Sequence, residues 1–111
     1  MSNEGYHEPI EKLSAQTMDM HRAITSLMEE LEAVDWYNQR VDACTDPQLK
    51  LILAHNRDEE KEHASMILEW IRRRDPKMDH ELRSALFKAG PITGQHKDPE
   101  DKDPEDKDPE A

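Results

Sequence analysis

Residues 55–66 read HNRDEEKEHASM, and inside this run Glu60 and His63 stand three residues apart. Residues three and four apart share a helix face. One such stripe runs through Leu49, Leu53, Asn56, Glu60, His63, Ile67, Trp70 and Ile71. Its ends are apolar and its middle is polar. A carboxylate on a core stripe needs hydrogen bonds or a metal, because burying it alone costs several kcal/mol. An upstream stripe, Met20, Ala23, Leu27, Glu30, Val34, Tyr37 and Val41, is interrupted in the same way at Glu30. Carboxylate oxygens combined with an imidazole nitrogen suit iron, with manganese or zinc as substitutes.

The elements that would position these groups are helices. Pro9 suits a helix first turn, and the three-and-four spacing from Ile10 predicts a long helix from about residue 9 to 43 or 44. In TDPQ at 45–48, Asp46 is the expected N-cap and Pro47 the first residue of a second helix. That helix should end near Arg74, because Asp75 precedes Pro76. A shorter third helix is expected from about Met78 to Lys88, stopped by Gly90-Pro91. A tight turn makes the two long helices an antiparallel hairpin, in which equal distances from the turn lie side by side. Glu30 is about 16 residues before the turn centre and Glu60 to His63 about 14 to 17 after it, so at a common rise per residue they share one level.

A Glu facing Glu-x-x-His is half of a di-iron carboxylate site. A two-fold axis near this level would supply the other half. Each helix also carries apolar residues on a second face, such as Ala23, Met28 and Trp36, or Ala54, Met66 and Trp70. The expected fold is therefore all-α: a two-helix hairpin plus a short C-terminal helix, completing a four-helix bundle only by dimerisation. The plainer alternative pairs Glu60 and His63 with each other or with Arg57 on a wet surface. The same spacing in EGYH, Glu4 to His7, is read as incidental. Glu29, Glu32 and Trp36 form an adjacent cluster, either a charged helix surface or a cation-attracting mouth near the two-fold axis. Glu59 and Glu62 are read as solvent-facing, with His55 left open between solvent and a supporting role. Met18, Met20, Met28 and Met66 are read as core filler.

Three stretches are expected: a flexible N-terminus at 1–8, a helical domain at 9–94, and an acidic tail at 95–111. The tail repeats KDPED, with three Lys against eight Asp and Glu and no apolar residue before Ala111, and reads as disordered. The whole chain carries 15 Lys and Arg against 26 Asp and Glu, a net charge of −11. That excludes nucleic acid, which needs a basic surface. No apolar run approaches the roughly 18 residues of a membrane span. Cys44 is the single cysteine, and no signal peptide is evident, so a cytoplasmic location is expected. Only 34% of residues are hydrophobic, which leaves a lone chain of 111 residues a marginal core.

The runs HRAITSLMEELEAVDWYNQRVDACTDP and LILAHNRDEEKEHASMILEWIRR, with GPIT after the third helix, closely resemble the encapsulated ferritins of bacteria and archaea. The resemblance covers about residues 7–94. It implies a half-ferritin whose chains pair into a four-helix bundle and then into a ring-shaped decamer, a pentamer of dimers. It implies ferroxidase activity, in which Fe²⁺ is oxidised by O₂ between two subunits and iron is stored inside a surrounding encapsulin shell. It assigns the ferroxidase ligands to Glu30, Glu60 and His63, places Tyr37 beside the metal centre, and makes Glu29, Glu32 and Trp36 a metal-uptake site. Iron is the implied metal, with Ca, Mn or Zn as other occupants. Such proteins usually close with a short apolar shell-docking peptide, whereas the final residues here read KDPEDKDPEA. The rival expectation is a helical assembly stapled by metal, or a metal buffer, without turnover.

Overall fold

The computed structural model describes residues 5–94, whose regular structure is entirely helical. A short 3-10 turn at Ile10–Lys12 is followed by α1 (Ala15–Ala43), α2 (Pro47–Arg74) and α3 (Pro76–Ala85). The expected pair of long helices and short third helix are all present. Residues 1–4 of the expected flexible N-terminus and the acidic repeat at 95–111 lie outside the described residues.

The long first helix begins later than the Pro9 signal implies. Pro9 instead opens the 3-10 turn, accepting the Lys12 N–H at 3.0 Å. Leu13 and Ser14 are then extended, with φ/ψ of −99°/138° and −75°/162°. The Ser14 hydroxyl accepts the Thr17 N–H at 3.0 Å, satisfying a donor the first helical turn leaves open, and α1 starts there. Upstream, the Tyr6 ring lies 4.4 Å from that of His21, between centroids, at 35°.

The turn follows its sequence signal closely. The Cys44 N–H closes α1 on the Arg40 carbonyl at 2.9 Å. Asp46 Oδ2 accepts the Leu49 N–H at 2.8 Å, and Pro47 occupies the first helical position, where its missing N–H costs nothing. Two polar ties across the hairpin show its antiparallel register. Glu30 meets His63, and Arg57 Nη1 donates to Asn38 Oδ1 at 3.1 Å.

The chain divides into two compact units at Ile71/Arg72. In the second, Asp75 caps α3 by accepting the Met78 N–H at 3.0 Å, with Pro76 next. This cap starts α3 two residues before the expected Met78. The helix also ends earlier than Lys88, because Leu86 is extended at φ −90°, ψ 150° and Phe87 turns left-handed at φ 59°. Within this unit Asp79 accepts hydrogen bonds from Arg72 and, at 2.9 Å, from Arg83 Nε.

Among the described residues, Ala64 and Ile71 are the only buried hydrophobics. Ile24, Met28, Leu31, Leu49, Ile52 and Met66 remain exposed. Each side chain of this kind contributes roughly 1.5–3 kcal/mol when fully buried. The hairpin thus leaves outside the very residues that would form its core. No helix of the described chain is long and apolar enough to cross a membrane.

Candidate metal centre

Glu30 is delivered by α1, and Glu60 and His63 by α2. The hairpin arithmetic from the turn brings all three to one level. One ligand atom from each lies within 4.8 Å of the others, and among the described residues this is the one such acidic or imidazole group of three. His63 Nδ1 is 3.1 Å from Glu60 Oε1 and 3.5 Å from Glu30 Oε1. The side chains of Glu30 and Glu60 are 27% and 24% exposed, and that of His63 44%. They form a half-covered polar patch on the surface of the hairpin.

The three groups shift one another's proton affinities. A hydrogen bond with Glu60 holds the Glu30 carboxyl above the ordinary carboxylate range, with burial and the Glu60 charge acting in the same direction. Glu60 is held below that range, first by the Glu30 hydrogen bond and then by His63. His63 is raised, chiefly by its hydrogen bond to Glu60. The pattern is that of two carboxylates sharing positive charge that a proton and an imidazolium supply. A divalent cation among the same oxygens and nitrogen would replace both. Of the plainer surface-pairing alternative, the Glu60–His63 pair forms, at 3.1 Å, and the pair with Arg57 does not. Arg57 donates to Asn38, and through Nε to Asp58 at 3.0 Å.

The other expected residues are not gathered with this triad inside one chain. Glu29 and Glu32 are exposed, and Trp36 is 49% exposed. Tyr37 is half-buried two turns along α1 from Glu30, with the Arg40 guanidinium carbon 5.0 Å from its ring centroid. His55 Nε2 is 3.5 Å from Glu59 Oε2 on a solvent-facing stretch of α2. In the other direction the triad's face continues as an open groove lined by Asp19, Ala23, Ser26, Met66, Ile67 and Trp70. Sequence reasoning missed the Asn38–Arg57 tie. The two residues sit at nearly equal distances from the 45–48 turn, so the arithmetic that paired Glu30 with His63 would have found it.

The EncFtn-like family matches residues 5–89 of the chain. An encapsulated ferritin-like protein of Rhodospirillum rubrum is 65% identical over 92 residues, covering 83% of this chain and 66% of that protein. The chain thus spans just under two thirds of that relative's length. An encapsulin nanocompartment cargo protein of Myxococcus xanthus is 34% identical over 89 residues, covering 79% of this chain and 68% of that one. A Nitrosomonas europaea protein of known crystal structure superposes with a TM-score of 0.78 at 68% identity, covering 81% of this chain and 99% of its own. The chain belongs to the EncFtn-like family, the encapsulated ferritin-like proteins.

Proposed function

We propose that this protein is a ferroxidase that oxidises Fe²⁺ with O₂ at a centre shared between two copies of the chain. The observation that carries the reading is the Glu30, Glu60 and His63 triad. Three protein ligands on a partly exposed face leave a metal's coordination incomplete, and a two-fold copy of the hairpin would add a second set. The doubled set, a Glu and a Glu-x-x-His from each chain, is the ligand arrangement of di-iron carboxylate bundles. Hard anionic oxygens favour the ferric product over the ferrous substrate, and a bridging carboxylate keeps two irons close enough to give one electron each to O₂. Exposed apolar residues along the same face support pairing through it.

In the same proposal Tyr37 lies beside the paired centre, and Glu29, Glu32 and Trp36 form the mouth that draws Fe²⁺ inward, a site open also to Ca, Mn or Zn. Five such dimers close into a decamer, whose oxidised iron is stored within an encapsulin nanocompartment. The names of the Rhodospirillum and Myxococcus relatives support that association.

The test is anaerobic loading with Fe²⁺ followed by O₂. Ferric absorbance is expected to grow faster than in buffer, and to do so in neither Glu60→Ala nor His63→Ala. Full oxidation rates in both variants would overturn the assignment. A metal-dependent change in assembly mass without ferric absorbance would favour a metal-stapled structural bundle.

A further inference from the structure

Helical spacing marks Met28 and Met66 as core filler, yet both stay outside: Met28 is 64% exposed and Met66 57%. Their settings differ. Met66 follows His63 by one turn of α2, about 60° round the helix and about 4.5 Å along it. It lines the open groove that continues the triad's face, a space of about 510 Å³ walled also by Ala23, Ser26, Ile67 and Trp70. Met28 stands two residues from Glu30, but about 160° round α1 from it. It is not among the residues lining the groove. One exposed thioether thus shares the triad's groove, while a second of similar exposure is turned away from the triad.

A thioether is soft and polarisable, and it takes an oxygen atom from a peroxide without help from another group. In the proposed function two Fe²⁺ give two electrons to O₂, which with two protons yields H₂O₂ and two Fe³⁺. The H₂O₂ is neutral and little larger than water, so no ion pair retains it at the triad, and the groove is open to it. When it meets Met66, the sulfur attacks one peroxide oxygen and the O–O bond breaks. The departing hydroxide takes the proton of the new S–OH group, leaving methionine sulfoxide and water. The sulfur is oxidised by two electrons and the peroxide reduced by two, so no further reductant enters.

We propose that Met66 scavenges the peroxide made at the centre, its thioether intercepting H₂O₂ as this leaves the triad along the groove. Sulfoxide reductases reverse the change, so the residue can serve again. The inference rests on the ferroxidase reading and extends it to the fate of the reduced oxygen.

The test compares two treatments of the full chain: Fe²⁺ with O₂, and H₂O₂ added to iron-free protein. Peptide mass spectrometry reads sulfoxide separately at Met66, at Met28 and at Met78, which is 37% exposed. The ratio of turnover to bulk oxidation corrects each methionine for its exposure in the assembled protein. That ratio is expected to be about fivefold or more higher at Met66 than at the other two, because proximity to the source then acts on top of exposure. Met66→Leu, a swap of similar volume, is expected to form ferric product at an unchanged rate while releasing more H₂O₂ to solution, read with a peroxidase-coupled dye. Equal ratios, or unchanged peroxide release from Met66→Leu, overturn the proposal. Ferric absorbance recorded in the same samples keeps the two readings apart. Without it the ferroxidase reading falls and takes this one with it, whereas ferric absorbance with equal ratios overturns scavenging alone.

Discussion

Two acidic clusters in this chain respond to their surroundings in opposite ways. Around Asp79 one carboxylate sits between the guanidiniums of Arg72 and Arg83, and its proton affinity falls, first through the Arg72 hydrogen bond. Around Glu30 two carboxylates share one imidazole, and the proton affinities of Glu30 and His63 rise, each chiefly through a hydrogen bond with Glu60. The first cluster has all the positive charge it can use. A carboxylate with surplus cations is a structural tie, whereas a pair of carboxylates in which one gains proton affinity as the other loses it suits a cation.

Removing a ligand breaks this contrast most severely. Glu60→Ala and His63→Ala are each expected to lower the ferrous oxidation rate by roughly 100-fold or more, since even residues outside the ligand set cost 10–100-fold in metal sites. Stopped-flow absorbance of ferric product checks it. Asp79→Asn is expected to leave that rate within about twofold, because in this reading Asp79 is a tie and touches no metal. Equal losses in the two regions would erase the distinction drawn between them.

Acid sharpens the contrast without any mutation. Binding a divalent cation at the triad must displace the proton that Glu30 retains and the one that His63 gains. Affinity for Mn²⁺, used as an oxidation-resistant probe, should therefore fall as pH falls through the raised His63 value, and further as Glu30 protonates. Calorimetry in buffers of different ionisation enthalpy should show the number of protons released per metal rising as pH falls through the raised His63 value and then the raised Glu30 value. Asp79 behaves otherwise. Its folded affinity is depressed, so its contribution to stability is present above the ordinary carboxylate range and lost as pH falls through the depressed value. Hydrogen exchange of α3 amides should quicken only in that acid window, and Asp79→Asn should remove the window.

How much of this was legible beforehand depends on range along the chain. The 45–48 turn was readable because Asp46 and Pro47 act on their immediate neighbours. The triad was readable because one short turn converts sequence distance into spatial level over a long antiparallel pair. The start of α1 was misplaced because two local signals competed. Pro9 permits a helix, but Ser14 supplies the hydrogen bond that a start requires, and Leu13 is extended between them. The end of α3 was misplaced because no residue type announces a left-handed Phe87. The Asp79 clamp escaped notice because Arg72 reaches it from α2 across the Asp75 cap. The spacing that singled out Glu60 and His63 holds within one helix and cannot register such a bridge.

The smallest effects should separate the same two kinds of role among helix caps. Ser14 and Asp46 do identical chemistry, each accepting an N–H three residues on, at 3.0 and 2.8 Å. Replacing either by Ala costs about 1 kcal/mol of stability, read as a shift in the urea midpoint. Their positions differ, however. Ser14 caps the free start of α1, where fraying moves nothing near the triad. Asp46 caps α2 at the turn from which the levels of Glu30, Glu60 and His63 are all measured. Ser14→Ala should thus leave Mn²⁺ affinity unchanged, while Asp46→Ala should weaken it by a few-fold at the same loss of stability. Equal affinities in the two variants would mean that the cross-hairpin Asn38–Arg57 bond, rather than the turn, holds the register.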